Sequence, residues 1–256
     1  MTRKGILLLL FILNFGYIFS QNNTKADLEV VYYFKIISDS LNRSSFIESN
    51  MILLCNKEKS SYFNPSMVKY FDYLNEQAKT IDKNNISTNN LQSIPKVRHN
   101  VWKDGNAITA TIPLGMYFYS YREPELEWEL LNEHKDIQEM NCQLAKVHTE
   151  NDIFYAWYAP SIPFQDGPFR FKGLPGLILE VYNKNRTIEF SLASIKNNPE
   201  KNIEKIQKVA TFDFHDKRDF FKARENWLEH PFISIVNKEA QKRAIENAKK
   251  TNVFLD

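Results

Sequence analysis

Cysteine and glycine are both scarce in this chain of 256 residues. Two cysteines, Cys55 and Cys142, are too few for a disulfide-built scaffold, so the fold must stand on a packed core. Seven glycines leave no Gly-rich loop of the kind that cradles phosphate at a helix N-terminus. A one-sided charge is missing as well. Lys and Arg number 33 against 31 Asp and Glu. Arg3 and Lys4 hold that whole excess, so the remainder is neutral and no nucleic-acid partner is expected. After residue 20 no apolar run approaches the roughly 20 residues that a spanning helix needs. No transmembrane segment is therefore expected beyond the leader.

The marks of common catalytic sites are absent too. No Gly-x-Ser-x-Gly elbow and no His-Glu-x-x-His pair occurs. Five histidines are present, His99, His134, His148, His215 and His230, none in compact ligand spacing. If Thr211 to His215 is a strand, Asp213 and His215 share one face of it, but zinc usually takes three protein ligands. Cys142 and His148 would be roughly 20 Å apart along a strand, out of reach as nucleophile and base. No catalytic residue, metal or cofactor is expected.

What the chain does carry begins at its first residue. Arg3 and Lys4 precede an apolar run from Gly5 to Phe19, and Ser20 offers a small residue before polar Gln21. This is the layout of a cleavable export signal over residues 1–20. It places the remainder, 21–256, in the periplasm or outer envelope as one domain.

That domain is rich in aromatics, with 19 Phe and 12 Tyr, which suits sheets. Leu28, Val30, Tyr32, Phe34 and Ile36 share one parity and predict a strand. Strands are also expected at Met51 to Cys55, Ser61 to Phe63, His99 to Lys103, Ala107 to Ile112, Met116 to Tyr121 and Leu126 to Leu131. More are expected at Ile137 to His148, Ile153 to Tyr158, Leu177 to Tyr182 and Thr187 to Ile195. Turns are expected at Asn56 to Lys59, Asp104-Gly105 and Asn183 to Arg186. A helix is expected from Pro65 to about Ala78, and two more from about Lys217, the first stopped by Pro231. Residues 80–95 read as an exposed polar loop. The fold class is α+β, mainly β: a curved antiparallel meander with helices packed on it.

Three of the glycines, Gly167, Gly173 and Gly176, fall within ten residues, beside Pro160, Pro163, Pro168 and Pro175. Glycine opens backbone angles closed to other residues, and proline fixes φ, so Ala156 to Val181 predicts a loop with a defined path. Either it is an elaborate connection between core strands, or it is functional. On the second reading Trp157, Phe164 and Phe169 form a binding surface with Asp166 and Arg170, which read as exposed. Cys55 and Cys142 both share parity with apolar neighbours. They are either a bridged pair, worth about 4 kcal/mol in the chain-entropy model, or two buried thiols.

The run Gly173-Leu174-Pro175-Gly176-Leu177-Ile178 resembles the motif of the GLPGLI family of exported Bacteroidota proteins. Ala156-Trp157-Tyr158, Pro160, Ile162-Pro163, Asp166-Gly167-Pro168 and Leu179-Glu180-Val181 are similar to what surrounds that motif. Cys142 and Ala145 resemble a short upstream pattern. The resemblance implies an envelope protein considered alongside outer-membrane transport machinery, without an established activity. Two functions stay open. One is a non-catalytic binding or accessory protein for a partner protein, a peptide or an apolar ligand. The other is a hydrolase with a site assembled from distant residues.

Overall fold

Alternation writes the first strand: in β1 (Leu28–Ile37), Leu28, Val30, Tyr32 and Phe34 are buried and their neighbours are less so. The computed structural model describes residues 24–80, 93–115, 117–206, 210–230, 238–251 and 253–255. The leader expected over residues 1–20 lies outside them, as does most of the polar stretch 80–95. After β1 come β2 (Phe46–Cys55), β3 (Lys59–Phe63), α1 (Pro65–Thr80), β4 (Asn100–Asp104), β5 (Ala107–Leu114) and β6 (Tyr117–Glu123). The second half holds β7 (Glu129–Ile137), β8 (Met140–His148), β9 (Ile153–Ala159), β10 (Leu177–Asn183), β11 (Ile188–Asn197) and β12 (Thr211–Asp213). Helices α2 (Lys217–Glu229) and α3 (Lys238–Lys250) follow. The mainly β, α+β class is as expected.

All the described strands join one open sheet, ordered β12-β6-β5-β4-β3-β2-β1-β11-β10-β9-β8-β7. It is two antiparallel meanders, β1 to β6 and β7 to β11, that meet where β1 pairs with β11. Most strands pair with their successor through short connections, as the spacing of turns implies, whereas β3 and β4 pair across α1 and β9 and β10 across the 160–176 connection. The β1–β11 seam is long-range and left no local mark. Among the described strands only β12 runs parallel to its neighbour, β6.

Two turns differ from expectation. Ile137 to His148 is not one strand, because Gln138 and Glu139 turn the chain between β7 and β8 with φ of 47° and 67°. Such a two-residue turn favours Asn-Gly, and Gln-Glu gave no warning of it. The β4–β5 turn uses Gly105 and Asn106, one residue later than expected, with Asp104 paired to Ala107.

The sheet must curl. Arg170 and Phe171 are adjacent in the chain, yet Arg170 reaches Glu123 on β6 and Phe171 packs on Phe154 of β9. In a flat sheet those strands, eight positions apart, would be about 38 Å from one another at the usual ~4.8 Å spacing. The core fills the inside of this curl. Tyr32, Phe34, Met51, Tyr62, Phe154 and Phe190 come from its strands, and Phe169, Phe171 and Leu174 from the long connection. On the other face α1 sets Met67 and Phe71 against Phe118. Asp216 caps α2 by accepting from the Arg218 N–H at 2.8 Å. The same helix seats Phe220 4.8 Å from the Tyr121 ring.

Candidate functional site

The connection from β9 to β10, Pro160 to Gly176, contains no helix or strand, yet Asp166 to Lys172 is a run of seven buried residues. Its aromatic side chains explain how. Phe169 meets the His99 ring edge-on at 5.3 Å, and Phe171 lies 4.8 Å from Phe154 and 5.9 Å from Phe190. The Trp128 indole donates to the Lys172 carbonyl at 2.9 Å, and the Tyr32 hydroxyl to the Ile178 carbonyl at 2.7 Å. Gly176 permits the tightest contact: a Cβ there would stand 2.3 Å from the Ala159 carbonyl oxygen.

The sequence pattern reads Asp166 and Arg170 as surface residues, and the structure corrects this. Each is 1% exposed. Buried charge is tolerable when it is paired, and both are paired, Asp166 by Lys172 of the same connection and by Lys103, and Arg170 by glutamates outside it. Phe169 is fully buried and Trp157 nearly so. Of the five residues expected to form a binding surface, Phe164 is half-buried on the wall of a groove, while Trp157, Asp166, Phe169 and Arg170 are interior.

Two ion clusters flank the loop. In the first, Asp166 accepts from Lys172 and, at 3.4 Å, from Lys103 of β4, while Lys172 also donates to the Gly167 carbonyl at 2.8 Å. Burial alone would raise the Asp166 carboxyl, but Lys172, Lys103 and the Gly167 N–H outweigh it and hold it below the usual value. Burial pulls the Lys172 ammonium down, and Asp166 opposes that. In the second cluster, Arg170 Nη1 lies 3.3 Å from Glu123 and 3.4 Å from Glu150. Lys217 of α2 reaches the same two glutamates, at 2.8 and 3.4 Å. Burial works against the Arg170 charge, but Glu123 and Glu150 raise its guanidinium above the ordinary value. Lys103, Lys172, Glu123 and Lys217 belong to no motif. The one signal near them is the alternation of Phe169 and Phe171 with Arg170 and Lys172, a pattern usual where one face is solvated, although both are covered here.

A groove of about 750 Å³ opens beside these clusters. Pro163, Phe164 and Gln165 form one wall, Gly105, Asn106 and Ile108 of the β4–β5 hairpin another, and Leu126 closes it, with Lys103, Arg170 and Lys172 in its lining. A second hollow of about 700 Å³, among Arg43, Asp152, Arg224 and Phe254, contains none of the expected site residues.

Cys55 and Cys142 are both free and buried. They stand on β2 and β8 with four strands between them, and no disulfide joins them. Burial pushes both thiols up, Cys142 to about 11. His99 is enclosed by Phe34, Tyr62 and Phe169, and burial pulls its imidazole down to about 3. No group of three His, Cys, Asp or Glu positioned for a metal occurs among the described residues. No helix among them is long and apolar enough to cross a membrane.

A family model described as "Protein of unknown function (Porph_ging)" matches residues 125–180, from just before β7 into β10. The match fits an uncharacterised family associated with Bacteroidota. It ends within β10, so it takes in the whole buried loop. No curated protein matches the chain. Two solved structures are similar to it, both of PNGF-II, in P21 and C2 crystals. Their TM-scores are 0.49 and 0.46, at 13% and 14% identity over 77% of this chain. The chain spans 32% and 33% of those proteins.

Proposed function

We propose that this is an exported envelope protein of the GLPGLI type that acts by binding, with residues 1–20 as its signal and 21–256 as one domain. It works in the periplasm or outer envelope beside outer-membrane transport proteins. Its binding place is the groove between the 163–173 segment and the β4–β5 hairpin, which takes a partner's segment, a peptide or a ligand with an apolar part. The observation that carries this reading is the groove itself. Its walls combine apolar Pro163, Phe164, Ile108 and Leu126 with a few convergent charged groups, the usual composition of a ligand site. The groups suited by type to catalysis are disposed otherwise. Cys55 is a buried thiol kept protonated, and His99 is sealed among aromatic rings. Photo-crosslinking in the native envelope tests the proposal, with the label at Gln165 on the groove or at exposed Leu41 away from it. A specific adduct, or a ligand seen by native mass spectrometry and displaced by the Gln165 label, is expected for the groove alone. Equal labelling from both positions would remove it as the binding place.

A further inference from the structure

The two ion clusters beside the groove, which contribute Lys103, Arg170 and Lys172 to its lining, are incomplete as they stand. Across the two clusters four cations, Lys103, Lys172, Arg170 and Lys217, face three carboxylates, Asp166, Glu123 and Glu150. Arg170 uses only Nη1 toward its glutamates. Its Nε and Nη2 are buried with no partner among the described residues. Those two atoms form one edge of the guanidinium, the fork that grips a carboxylate with two parallel hydrogen bonds. A desolvated fork left empty is costly, and filling it with an anion is favourable because the surroundings screen so little.

Resting on the groove as the binding place, we propose that its ligand is an apolar chain ending in a carboxylate. The carboxylate sits on the Nε–Nη2 edge of Arg170 with Lys103 beside it. The chain lies along Phe164, Leu126 and Ile108. A single negative charge balances the clusters. Lys57 and Glu58 offset one another at the rim, and Glu125 is exposed to solvent, so none of the three supplies it. Planarity and single charge favour a carboxylate over a phosphate. A fatty acid and the C-terminus of an apolar peptide share this chemistry, and the test separates them.

Nuclear magnetic resonance on the isotope-labelled protein reads the Arg170 Nε–H directly, together with the backbone of Lys103, Gln165 and Ile108. The probes are hexanoate, hexanamide, the dipeptide acetyl-Leu-Phe as free acid and as amide, and inorganic phosphate. Saturable shifts of Arg170 Nε–H are expected with at least one acid, at an affinity about tenfold above its amide, the worth of one charge-assisted pair. Whichever acid binds more tightly names the source. Lys103→Gln leaves Asp166 paired with Lys172, so it should fold and weaken the acid about threefold, leaving the amide unchanged. If acid and amide shift the groove alike and Arg170 Nε–H stays still, the carboxylate assignment falls and the groove reading survives. A buried water joining Arg170 to the equally unpartnered Glu123 Oε1 gives that result. Equal response to phosphate overturns the carboxylate as the specific group. No shift in the groove with any probe overturns both readings.

Discussion

The β9–β10 connection and strand β7 exchange the roles usual for loops and strands. The connection buries seven consecutive residues, three of them charged, whereas β7 at the sheet's edge buries none of its nine. Regular hydrogen bonding is therefore not what decides burial here. β7 carries Glu129, Glu133, His134, Lys135 and Asp136, and such charge on an edge strand discourages pairing with another chain. The connection instead carries Phe169, Phe171 and Leu174 into a space that the curled sheet cannot fill with its own side chains. Its charges come inside with the phenylalanines beside them: Asp166 and Lys172 pair with each other, and Lys103 of β4 and Glu123 of β6 supply the partners from outside.

The comparison breaks most easily at those partners. Removing one member of a buried pair leaves the other charged and uncompensated, at about 3–5 kcal/mol. Asp166→Ala, which leaves Lys172 without its carboxylate, should lose that much in urea unfolding, and Arg170→Met should lose less, because Lys217 still meets Glu123 at 2.8 Å. Asp166→Leu with Lys172→Met should recover most of the loss, because the fully buried ammonium goes with its carboxylate and only the less buried Lys103 loses a partner. On β7, Glu133→Ala should stay within about 0.5 kcal/mol of the parent, as for an ordinary surface change. Similar midpoints for Asp166→Ala and Glu133→Ala would show that the connection is not buried as described.

Next in size is Gly176. Its need for glycine is one of approach, since a side chain would meet the Ala159 carbonyl. Gly105, at φ +56°, has nothing within 4 Å of the place a Cβ would take, so its need is one of angle alone. Gly176→Val should cost about 3 kcal/mol or more, the upper end of overpacking. Gly105→Asn should cost only a few tenths, because Asn tolerates the left-handed region. Equal denaturation midpoints would overturn the close approach.

Most strands were legible because solvent on one face and core on the other impose period two, as Leu28 to Phe34 show. The connection was legible as ordered, since Gly167, Gly173 and Gly176 beside four prolines leave little freedom. Its orientation was not legible. Arg170 is written as a charge in the sequence, whereas its partner Glu123 lies 47 residues away on β6. Nothing local distinguishes a solvated arginine from one met by such a partner. The same holds for Cys55 and Cys142, whose parity correctly predicted burial but could not say that four strands separate them. His99, alone and without ligand spacing, gave no sign of the aromatic cage that Phe34, Tyr62 and Phe169 build round it.

That cage gives the connection a pH dependence. The unfolded chain protonates His99 below its ordinary value of 6.5, whereas the folded protein resists until about 3. The unfolded state thus binds more protons between those values, and stability falls as pH falls through that window. Between about pH 7 and about pH 5 the loss should be about 2 kcal/mol. His99→Phe, which keeps a ring against Phe169, should flatten the profile over that range. Asp166 and Glu150, both held below the usual carboxylate values, lose their contribution only at still lower pH. An unchanged slope in His99→Phe would place the acid sensitivity elsewhere.

The smallest effect belongs to the edge. The turn from β7 to β8 holds Gln138 and Glu139 at φ of 47° and 67°, angles that crowd a side chain against its own carbonyl. Ile137 pairs with Met140 directly across it, so the geometry is that of a two-residue hairpin, in which glycine suits the second position. Both turn residues are exposed, and Glu139 is held by no ion pair among the described residues. Glu139→Gly should therefore relieve strain without removing a contact, raising stability by about 0.5–1 kcal/mol. The edge opens locally and the interior opens only with the whole fold, and the turn is lost in both openings, so hydrogen exchange should slow at the β7–β8 amides and by a similar factor at those of the connection. Slowing at β7–β8 with none in the connection would mean that the connection opens while the edge stays closed, and no slowing in either would remove the strain from the turn.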